Sequence, residues 1–130
     1  RMNIEEFIIE VEVLRLRYGE VGFDDLAKWV HILRFDLPRG WDRKTSGLLI
    51  EIPPVYPSTP PYDFFIDQEL RTKNGREPGH YYQDCKHEKE GWAWLCLHIR
   101  NWRPHPNVVD GDNLLTVTEC IYTQLTELCH

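Results

Sequence analysis

The chain has 130 residues, is 42% hydrophobic, and sets 15 basic against 21 acidic side chains for a net charge of −6. That length and apolar content predict one compact domain over 1–130, able to bury about two-thirds of its unfolded surface. The acidic balance argues against a nucleic-acid partner, whose phosphates need clustered Lys and Arg, and no apolar run approaches the ~20 residues of a membrane span.

Arg1 ahead of Met2 reads as an expression remnant, and no basic segment precedes a short apolar core, so the expected address is cytoplasmic. Ile4, Phe7, Ile8, Val11, Leu14 and Tyr18 recur at spacings of three and four, with Asn3 as N-cap and Gly19 as stop, which predicts an amphipathic helix over 3–18. Trp29–Leu37, rich in β-branched and aromatic residues, predicts a strand ending at the Pro38-Arg39-Gly40 turn. Ser46–Ile52 and Tyr62–Ile66 predict two more, joined through a proline-dense link, so the pairing is expected to be antiparallel. Between Asp67 and Gly91 the apolar pattern is lost, which predicts a long irregular segment. Asp112 or Asn113 can then cap a helix whose Leu114, Val117, Ile121, Leu125 and Leu128 form a core-facing stripe. The four cysteines, Cys85, Cys96, Cys120 and Cys129, are expected to be reduced in the absence of a secretory signal.

The link Pro53-Pro54-Val55-Tyr56-Pro57-Ser58-Thr59-Pro60-Pro61 resembles the Tyr-Pro-x-x-Pro-Pro segment of the ubiquitin-conjugating (UBC) superfamily. That family places a catalytic Cys-Leu-x-Ile run further on, then a Trp-x-Pro, then a helix. Cys96-Leu97-His98-Ile99, Trp102-Arg103-Pro104 and the last helix follow here in that order. The resemblance covers nearly the whole chain, and both Leu37-Pro38-Arg39-Gly40 and the histidine after the cysteine are most similar to the prokaryotic branch. It implies an α+β UBC-like fold: an N-terminal helix, an antiparallel meander, a long active-site loop region and a C-terminal helix, shortened at the C-terminus. It implies Cys96 as the thioester-forming nucleophile, with Tyr56, Pro57, Pro60, Pro61, Trp102 and Pro104 as structural motif residues. One X-Pro bond among Pro57, Pro60 and Pro61 is expected to be cis. The partners it implies are an ATP-dependent activating enzyme, docking on the first helix, a ubiquitin-like protein, and a metal-dependent isopeptidase encoded nearby in a bacterial antiphage operon. No cofactor is implied.

The chain departs from the family pattern in one chemically important respect. Many members carry His-Pro-Asn shortly before the cysteine, the asparagine supporting the oxyanion, and no such tripeptide stands there. Only His87 is a rough counterpart. A literal His105-Pro106-Asn107 follows the cysteine and reads as a decoy unless its loop folds back.

An acyl carrier must attack a thioester and then leave readily, which a cysteine thiolate does and a serine does not. A free thiol with a pKa near ~8.5 is already ionised to a few per cent at neutral pH, so no large shift is required. In an extended stretch His98 emerges on the same face as Cys96, where it could stabilise the thiolate, orient the thioester carbonyl or deprotonate the amine. A lysine acceptor with a pKa near ~10.4 calls for a carboxylate or a desolvating pocket, and Asp110 and Asp112 are the acidic candidates.

Each assignment has a plainer competitor. A lone cysteine between two leucines is more often packing than chemistry, and for Cys120 and Cys129 that reading stands. Cys85-Lys86-His87 with Cys96-Leu97-His98 forms a doubled Cys-x-His that could hold a structural zinc, although one intervening residue is tighter than the usual ligand spacing. Trp92 and Trp94 are expected to pack one side of the active-site ridge, with Trp102 anchoring it. The functional alternatives are a catalytically inactive UBC-like or RWD-like binding module for a ubiquitin-like partner, and a zinc-stabilised structural domain.

Overall fold

The computed structural model describes residues 2–76 and 91–129. Helix α1 (Ile4–Tyr18) opens on Asn3, whose side chain accepts the backbone N–H groups of Glu5 and Glu6 at 3.0 and 3.3 Å, and closes on Gly19 at φ +84°. An N-terminal side-chain acceptor and a left-handed glycine satisfy groups that the helix itself leaves unpaired. Strands β1 (Val21–Phe23), β2 (Trp29–Asp36), β3 (Thr45–Glu51), β4 (Asp63–Asp67) and β5 (Trp92–Cys96) follow, and after a 3-10 turn at Val108–Asp110 the last helix is α2 (Leu114–Leu128). The sheet is an antiparallel meander in chain order.

Its register explains the core. Val30, Ile50, Phe64 and Leu95 lie in one row across the sheet, and Ile32, Leu48, Ile66 and Ala93 in the next. All are buried, and they share one apolar cluster with Phe7, Val11 and Leu14 of α1 and Leu114, Val117, Ile121 and Leu125 of α2. The opposite face carries His31, Leu49, Phe65 and Trp94 in register. There Trp29 packs edge-on to Phe65 at 5.6 Å and His31 edge-on to Trp92 at 5.5 Å. Between Ile32 and Phe35 the register shifts, a bulge that leaves Leu33 and Arg34 outside the sheet's burial pattern.

Several expectations change. The core stripe of α1 is Phe7, Glu10, Val11 and Leu14, while Ile4 and Ile8 are exposed and Tyr18 is only half-buried. The helix has apolar residues on more than one side, so spacing alone could not choose which side faces inward. Two strands stand beyond the three expected, β1 and β5. Strand β5 was hidden because its pairing with β4 depends on a chain-distant register rather than on local pattern. The cap of α2 is Asn113, whose side chain accepts Leu115 N–H at 2.8 Å while the Thr116 hydroxyl accepts Asn113 N–H at 3.1 Å. Cys85 and His87 lie outside the described residues, as does most of the segment expected to be irregular.

Candidate functional site

Strand β5 forms one border of the sheet and ends at Cys96. Cys96 stands directly opposite Asp63 of β4, and Leu97 N–H donates to Tyr62 O at 2.9 Å, one step beyond the pair on each strand. This is the hydrogen-bond pattern of a narrow antiparallel pair, in which the two side chains share a face and approach closely while the backbone groups of both residues point away from each other. The Cys96 carbonyl therefore faces the open edge of β5, where Gln124 Nε2 of α2 donates to it at 2.7 Å.

Past the strand the chain keeps alternating. Leu97 is buried and Ile99 packs on the core, so Cys96, His98 and Arg100 turn to the other side. They line a cleft of about 980 Å³ whose facing wall comes from α2, including Glu119, Cys120, Gln124 and Glu127. One wall thus includes Cys96, His98 and Arg100, and the other Glu119, Cys120 and Glu127. Cys120, expected to be filler, borders the cleft; burial, then the charges of Asp112 and Glu119, push its thiol pKa up, which suits it poorly as a nucleophile. Cys96 is half-buried and carries no disulfide.

The two sequence motifs meet physically. Trp102 Nε1–H donates to Pro57 O at 2.6 Å, and its ring lies 6.1 Å from that of fully buried Tyr56, with the Tyr56–Pro57 bond cis. Pro61 is buried, Pro60 half-buried and Pro104 exposed. Beyond Trp102 the chain is held to the start of α2: Arg103 N–H donates to Asp112 Oδ2 at 2.6 Å, and Asp112 N–H returns a bond to Arg103 O at 2.9 Å. Gly111 sits so close to His105 and Arg103 that a Cβ there would lie 2.7 Å from His105 N.

Those contacts place the remaining candidates. Asp112 is committed to Arg103, Asp110 is exposed on the 3-10 turn, and neither lines the cleft. In His105-Pro106-Asn107, the Asn107 side chain accepts Val109 N–H at 3.4 Å as the cap of that turn, away from the cleft wall. Among the described residues no group of three or more His, Cys, Asp and Glu is arranged to hold a metal ion. Half of the doubled Cys-x-His lies outside them.

Two carboxylates escaped sequence reasoning. Glu10 is 4% exposed in the core, where its Oε1 accepts both the Tyr56 hydroxyl at 2.5 Å and Leu114 N–H at 2.8 Å. The N-terminus of α2 is thereby capped from α1, an arrangement favoured by the dipole of the helix. Desolvation raises the Glu10 carboxyl above its ordinary range although both bonds oppose it, and burial, then the neighbouring Glu10 charge and hydrogen bond, raises the Tyr56 hydroxyl as well. The second carboxylate is Asp63, 3% exposed, whose Oδ1 accepts Trp94 Nε1–H at 2.6 Å. A charged residue inside an otherwise apolar strand, Tyr62–Ile66, was the available signal.

A protein-family model described as prokaryotic E2 family E matches residues 11–127, a span that includes both motifs and every cleft-lining residue but Leu128. No curated protein and no solved structure matches the chain.

Proposed function

The chain belongs to the prokaryotic E2 family E and has a fold of the ubiquitin-conjugating type, and on that premise we propose that it is a conjugating enzyme carrying a ubiquitin-like protein as a thioester on Cys96. The observation that carries this reading is the position of Cys96: the last residue of a border strand, partly exposed, and fixed from both sides by β4 and by Gln124. In loading, the Cys96 thiolate attacks the carbonyl carbon of the donor thioester, and the activating enzyme's thiol leaves with the electron pair. In transfer, an acceptor amine attacks that same carbon, loses a proton, and Cys96 departs as thiolate.

His98 shares the cleft with Cys96, so its ring is available to the thioester carbonyl or to the incoming amine. His87 keeps its sequence-based candidacy as a rough counterpart of the family histidine. An activating enzyme and a ubiquitin-like protein are the partners that family membership implies. A companion isopeptidase, an antiphage setting and a cytoplasmic address extend the same reading. Among the described residues no helix is long and apolar enough to cross a membrane.

The test is a mixture of the protein with its activating enzyme, its ubiquitin-like partner and ATP. A thiol-reducible adduct is expected on the wild type, a hydroxide-labile but thiol-resistant one on Cys96→Ser, and none on Cys96→Ala. His98→Ala is expected to load and to discharge slowly. An adduct that persists in Cys96→Ala, or the absence of one on the wild type, would return the chain to the binding-module reading, which the lack of an asparagine among the described residues lining the cleft favours.

A further inference from the structure

We infer that Asp63 is the carboxylate that takes the proton from the amine attacking the Cys96 thioester. This inference rests on the conjugating reading above and assigns a residue within it. Asp63 and Cys96 are directly opposed on β4 and β5, and the bond from Leu97 N–H to Tyr62 O makes theirs the narrow kind of pair, with both side chains on one face. Cross-strand partners of this type have Cβ atoms about 4.5–5.5 Å apart, so a carboxylate oxygen reaches the neighbourhood of whatever is bonded to the sulfur.

The carboxylate is also held in place. Trp94, two residues before Cys96 on the same face of β5, donates its indole N–H to Asp63 Oδ1 at 2.6 Å. A charged acceptor that is 3% exposed is fixed rather than free to swing into solvent, and a preorganised charge acts most strongly on charge that develops in the transition state. The other acidic candidates are placed less well: Asp112 is bound to Arg103, Asp110 lies on the 3-10 turn, and Glu119 and Glu127 stand across the cleft on the α2 wall.

The amine nitrogen lone pair bonds to the thioester carbonyl carbon, and the nitrogen becomes cationic. One N–H proton passes to the Asp63 carboxylate. The tetrahedral intermediate collapses, the C–S bond breaks with its electron pair going to Cys96 Sγ, and the amide forms. Asp63 is then regenerated by proton transfer to water that enters beside half-buried Cys96 once the amide product has left. Positive charge appears on the nitrogen only as the bond forms, so the carboxylate assists aminolysis and has no corresponding part in loading, where no amine is present.

The experiment uses the full chain and a synthetic probe, a peptide ending in Gly-Gly as the mercaptoethanesulfonate thioester, which exchanges onto an accessible cysteine without an activating enzyme. The acylated protein is discharged separately with free lysine and with hydroxylamine, a nucleophile that is uncharged at neutral pH and depends little on a proton acceptor. Asp63→Asn keeps an oxygen for the Trp94 indole. It is expected to load like wild type, to lose about 10²-fold in discharge by lysine, the lower end for general-base assistance, and to keep its hydroxylamine rate within a factor of three. The ratio of the two rates within one variant is insensitive to a general loosening of the site. If Asp63→Asn does not fold, Trp94→Phe, which removes the donor to Oδ1, is expected to lower the same ratio. An unchanged ratio, or equal slowing with both nucleophiles, overturns the role of Asp63 and leaves the conjugating reading intact. No adduct on wild-type Cys96 overturns both.

Discussion

Tyr56→Phe isolates a single bond at the centre of the molecule. Tyr56 is fully buried, and its hydroxyl donates to Glu10 Oε1, the same oxygen that accepts the first N–H of α2. Phenylalanine keeps the ring that lies 6.1 Å from that of Trp102, so little packing is lost. A hydrogen bond to a charged group contributes about 1.5–3 kcal/mol, and a buried acceptor deprived of a donor has no water to replace it. With a urea m-value of about 2 kcal/mol/M, a loss of 2 kcal/mol lowers the unfolding midpoint by about 1 M. Tryptophan fluorescence in urea measures it, with Tyr122→Phe as a control at a 43% exposed position, where a change within about 0.5 kcal/mol is expected. In a Glu10→Gln background the effect of Tyr56→Phe should shrink, since the charged acceptor is gone. A midpoint shift no larger than that of Tyr122→Phe would refute the assignment of the Glu10 junction as a stabilising contact.

Three further outcomes follow from the same contacts. Because burial raises the Glu10 carboxyl, the native state holds that proton where the unfolded chain has released it, so Glu10 lowers stability as pH rises through and above the ordinary carboxyl value of 4.5. Glu10→Gln, which keeps an acceptor oxygen, should therefore gain on wild type between pH 4 and 8 in denaturant titrations; a gap that narrows with rising pH would contradict this. Gly111→Ala should lose about 1–3 kcal/mol, because its Cβ would meet backbone of Arg103 and His105 at 2.7–2.8 Å and the loop must move; an unaltered melting temperature would deny that close approach. Cys120→Ser should leave Cys96 loading unchanged, and iodoacetamide should label Cys120 more slowly than a free thiol, given its raised pKa; mass spectrometry of tryptic peptides reads both.

The legible parts of the sequence were those with local grammar. Asn3 and Gly19 bracket α1 as their caps foretell, Asn113, one of two candidate caps, opens α2, and the β-branched run of β2 forms its strand within a residue. The motifs were legible as motifs, but their junction was not: that Trp102 donates to Pro57 across 45 positions follows from packing, not from either segment alone. The two acidic residues that matter most to the interior were overlooked for a related reason. Glu10 shares a helix face with Phe7 and Leu14, but its charge argues for solvent until the N-terminus of α2 is placed beside it, and Asp63 acquires its neighbours only when β5 pairs with β4. Conversely, the spacing of Ile4 and Ile8 predicts core positions and both are exposed, because apolar character by itself does not state which direction is inward.

The Glu10 oxygen also bears on the order in which the molecule assembles. Its two donors stand 46 and 104 positions along the chain. Joining ends 104 residues apart carries a chain entropy near (3/2)RT ln n, about 4 kcal/mol, which must be met by contacts formed at the same moment. During synthesis Glu10 can gain its backbone donor only after residue 114 has emerged, so this junction ties the first helix to the last.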